Sequence, residues 1–252
     1  AKGGADSHQC GIGSMWYYAA HLTDFSIVMS FVAHESLAEK IAAHLAERII
    51  KGELISGERI QEARVVEELQ VSRGSVREAL LLLESRHLVT IQPRRGAMVA
   101  ELTVERVNSL YDVYEALLTL LATQVALQWT DENKMPLLNQ AMKLQSPELK
   151  KDKFMFMLAG FDLMRAASDV INNPYLSTLL SDLQPAIQRT YALSIRFSQE
   201  GLERTIHFFA KVVELILARK ADELPPLFRE FSLYQRQLVL DAMAENPVPA
   251  LD

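Results

Sequence analysis

Residues 71–96 read VSRGSVREALLLLESRHLVTIQPRRG, and this stretch decides how the rest of the chain is interpreted. Ser72 can cap a helix through its hydroxyl, and the apolar residues Val76, Ala79, Leu80 and Leu83 then recur every three or four positions. After residue 87 the apolar period changes to two on both sides of a Pro-Arg-Arg-Gly sequence. The stretch therefore predicts one amphipathic helix followed by a short β-hairpin.

Basic side chains gather at the start of this helix and at the tip of the hairpin. Arg73 and Arg77 fall in the first turn, beside Ser75, and Arg94 and Arg95 fall at the tip. A helix that enters the major groove uses its first turn in this way, because arginine reaches guanine edges and phosphates there. Taken singly, these arginines fit a solvated helix face and a polar turn equally well.

The local charge favours the interpretation as a nucleic-acid surface. Residues 71–96 hold five arginines against two glutamates, a local net charge of +3, whereas the whole chain carries −6. A basic island in an acidic protein is typical of a surface that faces phosphates.

The preceding residues complete a helix-turn-helix. Apolar residues recur every four positions between Ser36, a capping residue, and Gly52, a stop, and predict a first helix. A turn at Ser56-Gly57 leads to a short second helix, and residues 70–71 form the tight turn before the basic helix. Two helices, a turn, a basic helix and a basic hairpin are the order of a winged helix-turn-helix.

The remainder of the chain is predicted to be entirely helical. No β pattern follows Val99, and the apolar periodicity and breaks predict six or seven helices in an antiparallel bundle, with a helix start at Pro174 and a bend at Pro185. The predicted fold is therefore mostly α, with a small β-hairpin wing. We call residues 29–101 the reader and residues 102–245 the bundle; residues 246–252 are a tail. We expect residues 1–28 to be a leader or a flexible arm, with Met29 as the natural start.

Composition narrows the class of protein. An isoelectric point of about 5.6 argues against a protein that coats nucleic acid non-specifically. A single cysteine, Cys10, permits no internal disulfide, so we expect a reducing cytoplasm. No apolar run approaches the roughly 20 residues of a membrane helix, and we expect no membrane partner. The chain contains no Gly-rich phosphate loop, nucleophile elbow or H-E-x-x-H motif, so we expect no enzyme.

The segment from Arg48 to Val99 resembles the reader domain of the GntR family of bacterial transcription regulators. The motifs VSR-x-x-VREAL and PRRG-x-x-V and the acidic Glu62 carry the resemblance. Ala63 departs from the family pattern, since many members have a contacting arginine there. In the family the starts of the second and third helices and the wing tip contact double-stranded operator DNA. The resemblance implies DNA contacts by Arg64, Ser72, Arg73, Ser75, Arg77, Arg94, Arg95 and Gly96.

The bundle resembles the FadR branch of that family, whose bundles bind small effectors. The segments NNPYLSTLL and ILARKADELPPLFREF carry this resemblance. Many members hold a divalent metal with one aspartate and three histidines. Only His207 lies beyond the wing here, so a three-histidine site cannot form, and we expect a pocket without metal or other cofactor. The family's inward groups would fall near Tyr114, Met164, Ala210 and Ser232.

Effector candidates in the bundle are its remaining polar and adaptable side chains. Arg189 ranks first, because the branch often places a polar pocket residue there. Methionine and tyrosine at helical spacing are more often ordinary core, and a histidine such as His207 is more often exposed or satisfied. The candidates are Tyr114, Arg165, Arg189, Tyr191 and His207, with Met155, Met157 and Met164 as apolar lining.

Two functions remain open on the sequence. In the first, a homodimer binds a pseudo-palindromic operator, and an effector, with an acyl chain or an organic acid as candidates, changes its affinity. In the second, the bundle only dimerises a DNA-binding protein and takes no effector. Binding of a small molecule would distinguish them.

Overall fold

The computed structural model describes residues 36–195 and 200–245, and these form a mostly helical chain with one small sheet. The predicted fold class is confirmed. The predicted leader and the predicted tail lie outside the described residues.

The reader elements follow the predicted order, with one addition. Ser36 caps the first helix in a capping box with Glu39, and Gly52 follows its end at φ 72°. The elements are α1 (Leu37–Ile50), β1 (Arg59–Ile60), α2 (Glu62–Leu69), α3 (Arg73–Ser85), β2 (Val89–Gln92) and β3 (Gly96–Val99).

The added element is β1, which makes the wing a three-stranded antiparallel sheet in the order β1-β3-β2. Arg59 pairs with Met98 and Ile60 with Ala97. Two residues are too few to show a period of two, so the sequence predicted only the β2–β3 hairpin.

The reader core is aliphatic and packs α1 against α3. The predicted stripe of α3 is confirmed, because Val76, Ala79, Leu80 and Leu83 are all buried. Leu37 is the exception in α1: it was expected on the buried face and is exposed at the first helical position.

Within the described residues six α-helices form the bundle, in agreement with the six or seven predicted. Pro225 and Pro226 lie in the first turn of the last helix, where a missing N–H costs the helix no hydrogen bond. The sequence predicted that this helix begins after the two prolines, whereas it begins before them. Pro185 lies inside a helix that continues through it. The helices are α4 (Val104–Gln128), α5 (Lys134–Leu144), α6 (Lys153–Ile171), α7 (Pro174–Ile195), α8 (Glu200–Leu217) and α9 (Leu224–Glu245).

The central helix of the bundle is α4, which packs against α6, α7, α8 and α9. By length and composition alone it could cross a membrane, contrary to the sequence expectation of no such run. Its buried residues, among them Val107, Leu121 and Val125, belong to the bundle core. The apolar periodicity of α4 also placed Val113 on the buried side of the helix, but its side chain is 52% exposed.

Candidate functional site

The first turn of α3 presents polar groups at an exposed helix end. The Ser72 hydroxyl accepts a hydrogen bond from the backbone N–H of Ser75 at 3.1 Å, and the two hydroxyls lie 2.9 Å apart. Arg73 is exposed beside them. The capping serine therefore fixes the start of the helix, while the positive end of the helix dipole and the guanidinium of Arg73 face solvent.

Arg77 lies one turn further along α3 and is oriented by an acidic neighbour. Its Nε–H donates to Glu62 Oε2 at 2.9 Å, and the arginine side chain remains 68% exposed. A guanidinium carries five N–H donors, so this bond leaves the donors of both terminal nitrogens available. Glu62, at the start of α2, thus orients the Arg77 side chain and leaves its terminal N–H donors available.

The two arginines of α3 line one concave surface together with the wing. A third arginine, Arg59 of β1, lies in the same concavity beside Gly96. The sequence did not single out Arg59, because its outward orientation follows from a strand that was not predicted. In this strand Arg59 is exposed and Ile60 is buried. The concavity is lined by Arg59, Ile60, Gln61, Glu62, Ala63, Arg73, Arg77, Gly96 and Ala97.

Arg64 does not join this concavity. Ala63 faces it instead, and successive helical residues point about 100° apart, which directs Arg64 elsewhere. Arg64 is exposed and borders a different, smaller depression with Arg48 and Glu68. The structure therefore separates Arg64 from the other predicted DNA contacts.

The wing tip is exposed and sharply turned. Arg94 has a φ of 67° and Gly96 a φ of 82°, and the N–H of Arg95 donates to the carbonyl of Gln92 at 3.2 Å. A φ in this region suits glycine and strains other residues. Both guanidinium groups of the tip are free to extend from the sheet, since Arg94 and Arg95 are exposed.

Half of the basic residues of the reader lie on this surface, which comprises the concavity and the wing tip. Residues 36–101 contain ten basic and ten acidic residues, so the reader as a whole is neutral. Several acids are paired elsewhere: Glu68 with Arg48 at 3.2 Å, and Glu47 with Lys51. The start of α3 and the wing tip are thus left with the excess of arginine, which favours contact with a polyanion.

The bundle contains a cavity of about 130 Å³ that is lined by residues of α4, α5, α6, α7, α8 and α9. Its lining is almost wholly apolar, and aromatic rings form one wall. The sequence did not predict this aromatic wall, although the phenylalanine pairs 208–209 and 228–231 are its signal.

Two of the predicted effector residues line the cavity. Burial raises the pKa of Tyr114 and of Tyr191 well above the usual value, so both hydroxyls are neutral at physiological pH. The Tyr114 hydroxyl donates to the sulfur of Met164 at 3.3 Å. Met157 and Met164 also line the cavity, whereas Met155 is exposed, so that part of the prediction is wrong.

Arg165 and His207 do not line the cavity. Both are exposed, because they lie on the outer faces of α6 and α8, and Arg165 forms an ion pair with Asp162. Helical periodicity alone did not separate these outer positions from inner ones. The expectation that they contact a ligand in the bundle interior is therefore wrong.

Arg189 is buried, but it points to the junction with the reader instead of into the cavity. Its Nη1–H donates to the carbonyl oxygen of Ala100 at 2.6 Å. Burial lowers the pKa of Arg189 to about 10, so the group stays charged at neutral pH. The predicted pocket role of Arg189 is not supported, and a link to the reader replaces it.

Within the described residues no group of three His, Cys, Asp or Glu side chains could hold a metal ion. Asp112 and Asp162, the carboxylates nearest to the family's ligand pattern, each pair with an arginine at the surface. At the positions where the family's inward groups were expected, Tyr114 and Met164 line the cavity, Ala210 is exposed, and Ser232 is buried outside the lining. A pocket without metal stays a prediction.

Comparison with known families matches both parts of the chain. Residues 37–99 match the bacterial regulatory proteins of the gntR family, and residues 109–230 match the FCD domain. The gluconate operon transcriptional repressor of Bacillus licheniformis is 28% identical over 168 residues, which are 66% of this chain and 68% of that protein. The HTH-type transcriptional regulator YdhC of Bacillus subtilis is 30% identical over 99 residues, 39% of this chain and 44% of that protein.

Solved structures share the same architecture at low identity. The Escherichia coli protein McbR/YncC superposes with a TM-score of 0.67 at 18% identity, covering 82% of this chain and 98% of that one. A GntR regulator from Rhodococcus sp. RHA1 gives a TM-score of 0.64 at 18% identity, with coverages of 81% and 98%. At this identity the likeness establishes the fold. The relatives are transcriptional regulators and not enzymes, as predicted.

Proposed function

Because the chain belongs to the GntR family of transcriptional regulators, with an N-terminal helix-turn-helix domain and a C-terminal FCD domain, we propose that a small molecule in the bundle cavity changes its affinity for operator DNA. The chain acts as a homodimer in the cytoplasm and belongs to the FadR-type branch. The reader supplies the DNA surface, and the bundle supplies both the ligand site and the dimer contact.

The DNA surface consists of the concavity and the wing tip. Arg73 and Arg77 insert with the start of α3 into the major groove, where their donors reach base edges. Arg59 and the wing-tip arginines contact the flanking phosphates, which positions the reader along the duplex. The exposure of these groups, in a reader whose charges balance overall, supports this assignment.

Control by an effector rests on one observation: three consecutive residues of α7 join the cavity to the reader. Tyr191 lines the cavity and packs edge to face against Phe161. Thr190 lies 3.1 Å from the Tyr111 hydroxyl of α4, and Arg189 donates to Ala100, the residue that directly follows β3. A ligand that displaces Tyr191 would therefore displace the residue that holds the wing.

Residues 100–103, which we call the linker, connect the reader to the bundle and are hydrogen-bonded to both. The N–H of Leu102 donates to the hydroxyl of Ser56 in the reader at 3.1 Å, while Arg189 of the bundle bonds to the carbonyl of Ala100. Helix α1 also packs against α7. Because the linker is anchored, a shift of α7 changes the orientation of the reader instead of being absorbed by a loose tether.

The outer face of α4 is the proposed dimer contact, and its occupant is a second copy of this chain. Val113, Leu120 and Leu127 are 52%, 45% and 58% exposed and lie seven residues apart. Ala116 and Thr123 fall between them, which completes the alternating three- and four-residue spacing of a helix-packing seam. Pairing two such faces relates the two readers by a twofold axis, as a palindromic operator requires.

The proposal is tested by coupling a ligand screen to operator titration. Thermal melting with acyl-CoA, fatty acid, sugar acid and carboxylate compounds identifies those that bind. Each binder is then added to a titration of a DNA site selected by the protein from random sequence. We expect the operator dissociation constant to change at least fivefold with ligand in the wild type, and the change to disappear in Arg189→Gln.

Arg165→Gln is the matched control, because it removes an exposed bundle arginine that touches neither cavity nor linker. It should respond as the wild type does. An Arg189→Gln variant that keeps the full response would contradict the coupling. If no compound binds and the operator is still recognised, the alternative in which the bundle only dimerises is favoured.

A further inference from the structure

We infer that the bundle cavity takes a compact apolar molecule, about the size of one aromatic ring and carrying a single polar group, and not a long acyl chain or a polyhydroxylated acid. The inference rests on the proposed function, since it identifies the chemical class of the effector. It draws on three properties of the cavity: the nature of its wall, the pairing of its polar groups and its size.

Aromatic rings form a continuous wall of the cavity. Phe208 stacks on Phe231 with ring centroids 3.8 Å apart and planes 6° from parallel, and it meets Phe228 edge to face at 5.2 Å. Phe209 contacts both Phe208 and Phe156 edge to face. Such a wall offers ring faces and edges to a ligand, which favours another apolar ring over a hydrated polar molecule.

A glycine in α6 shapes this wall. A Cβ atom on Gly160 would lie 2.7 Å from the Cζ atom of Phe209, so only glycine lets that ring lie against the helix backbone. Glycine in the interior of a helix is about 1 kcal/mol less favourable than alanine. Gly160 therefore disfavours the helix, but it makes room for the Phe209 ring beside the cavity.

The polar groups at the cavity largely satisfy one another. Gln235 Nε2 donates to the hydroxyl of Thr205 at 3.2 Å, and that hydroxyl donates to the carbonyl of Gly201 at 2.7 Å. The Ser194 hydroxyl donates to the carbonyl of Tyr191 at 3.0 Å. A ligand with many hydroxyls would leave most of them unpaired in this interior, which opposes binding.

The Tyr114 hydroxyl is the group best suited to a ligand. Its present acceptor is the sulfur of Met164, and a thioether is a weak acceptor. A carbonyl oxygen on the ligand would take this hydrogen bond in exchange at little cost. The lining also includes Lys153, Tyr191 and Gln235, but most of it is apolar, and the weakly bonded Tyr114 hydroxyl matches a ring that carries a single carbonyl.

The volume agrees with this class. A cavity of about 130 Å³ is close to the engineered cavity of about 150 Å³, in another protein, that stays dry and binds benzene. A long acyl chain exceeds this space. Sugar acids fit the space less well than their size suggests, because their hydroxyls lack partners. Relatives named for the gluconate operon are therefore poor guides to this ligand.

The test compares four probes by thermal melting of the full-length protein: acetophenone, ethylbenzene, gluconate and palmitate. We expect acetophenone and ethylbenzene, which share shape but differ in the carbonyl, to raise the midpoint by about 2 °C or more at millimolar concentration. Gluconate and palmitate should leave it unchanged. Acetophenone should raise the midpoint more than ethylbenzene, because only its carbonyl can accept from the Tyr114 hydroxyl. In Tyr114→Phe this difference between the two probes should disappear.

Ala122→Leu provides the second arm, because Ala122 lines the cavity and a larger side chain there fills it. Its midpoint should equal or exceed that of the wild type, and both aromatic probes should lose their effect. A larger shift with gluconate or palmitate, or an undiminished shift with acetophenone in a folded Ala122→Leu, would overturn the inference. Operator binding, measured separately, keeps failure of this inference distinct from failure of the proposed function.

Discussion

The reader and the bundle differ in where they keep their chemistry. Residues 36–101 contain no Phe, Tyr or Trp, and their aliphatic core serves to hold an exposed arginine surface. The bundle contains every aromatic side chain in the described part of the chain, and eight of these rings line a cavity. The reader therefore presents an exposed surface to a large polyanion, and the bundle presents an interior site to a small molecule.

The arginines of the two regions show the same contrast. Arg73 and Arg77 are exposed at a helix start, where mobile guanidinium groups can adapt to bases and phosphates. Arg189 is 7% exposed and donates across the junction to a backbone carbonyl. An exposed arginine is suited to recognition, whereas a buried one holds two parts of the molecule together.

The largest expected effect breaks the reader alone. Arg73→Ala combined with Arg77→Ala should weaken specific operator binding at least 100-fold, because each bidentate contact to a base contributes about 1–3 kcal/mol. Fluorescence anisotropy on the selected operator measures this change. Arg64→Ala is the matched control, since Arg64 is an exposed arginine of the same domain outside the concavity, and it should cost less than threefold. Specific binding that survives the double substitution would show that α3 is not the recognition helix.

The next effect concerns the bundle alone and appears at alkaline pH. Burial raises the pKa of Tyr111 to about 12 from its usual 10. Between these values the folded protein keeps a proton that the unfolded chain has released, so this contribution to stability is complete below pH 10 and is lost as the pH rises to 12. Two pKa units correspond to about 3 kcal/mol.

Tyr111→Phe should therefore lose about 2 kcal/mol less stability than the wild type between pH 9 and pH 12, as measured by urea unfolding. Tyr175→Phe, which removes an exposed hydroxyl from the same bundle, should follow the wild-type pH dependence. An unchanged pH dependence in Tyr111→Phe would mean that this hydroxyl is hydrated in the folded state.

The smallest effect compares two helix caps. Ser72 caps α3 of the reader, and Thr103 caps α4 of the bundle by accepting from the N–H of Arg106 at 3.3 Å. Ser72→Ala and Thr103→Ala should each lower the free energy of unfolding by about 1 kcal/mol. Only Ser72→Ala should also weaken operator binding. Equal operator affinities for the two variants would show that the start of α3 does not contact the DNA.

Sequence periodicity predicted the reader better than the bundle interior, for a physical reason. The α3 stripe and its cap follow from local spacing, and charge marks the exposed arginines whatever their neighbours are. Arg59 was missed because its direction depends on its pairing with Met98, a residue 39 positions away in the chain. Long-range pairing of this kind leaves no local pattern in a two-residue strand.

In the bundle, periodicity located the helices but not which polar residues face the cavity. Tyr114 and Tyr191 line it, whereas Arg165 and His207 lie on outer faces and Arg189 reaches the linker. A helix packed on several neighbours has more than one apolar face, as the exposed Val113 of α4 shows. The cavity is set by the packing of six helices, which the sequence of any one of them does not reveal.

Hydrogen–deuterium exchange of the full chain, with and without the selected operator, tests the central claim most directly. We predict slower exchange on DNA binding in the peptides that cover residues 59–63, 72–77 and 93–96, with the inner helices of the bundle unchanged. Protection that falls instead on the outer faces of the bundle, with the start of α3 and the wing tip unaffected, would contradict the account.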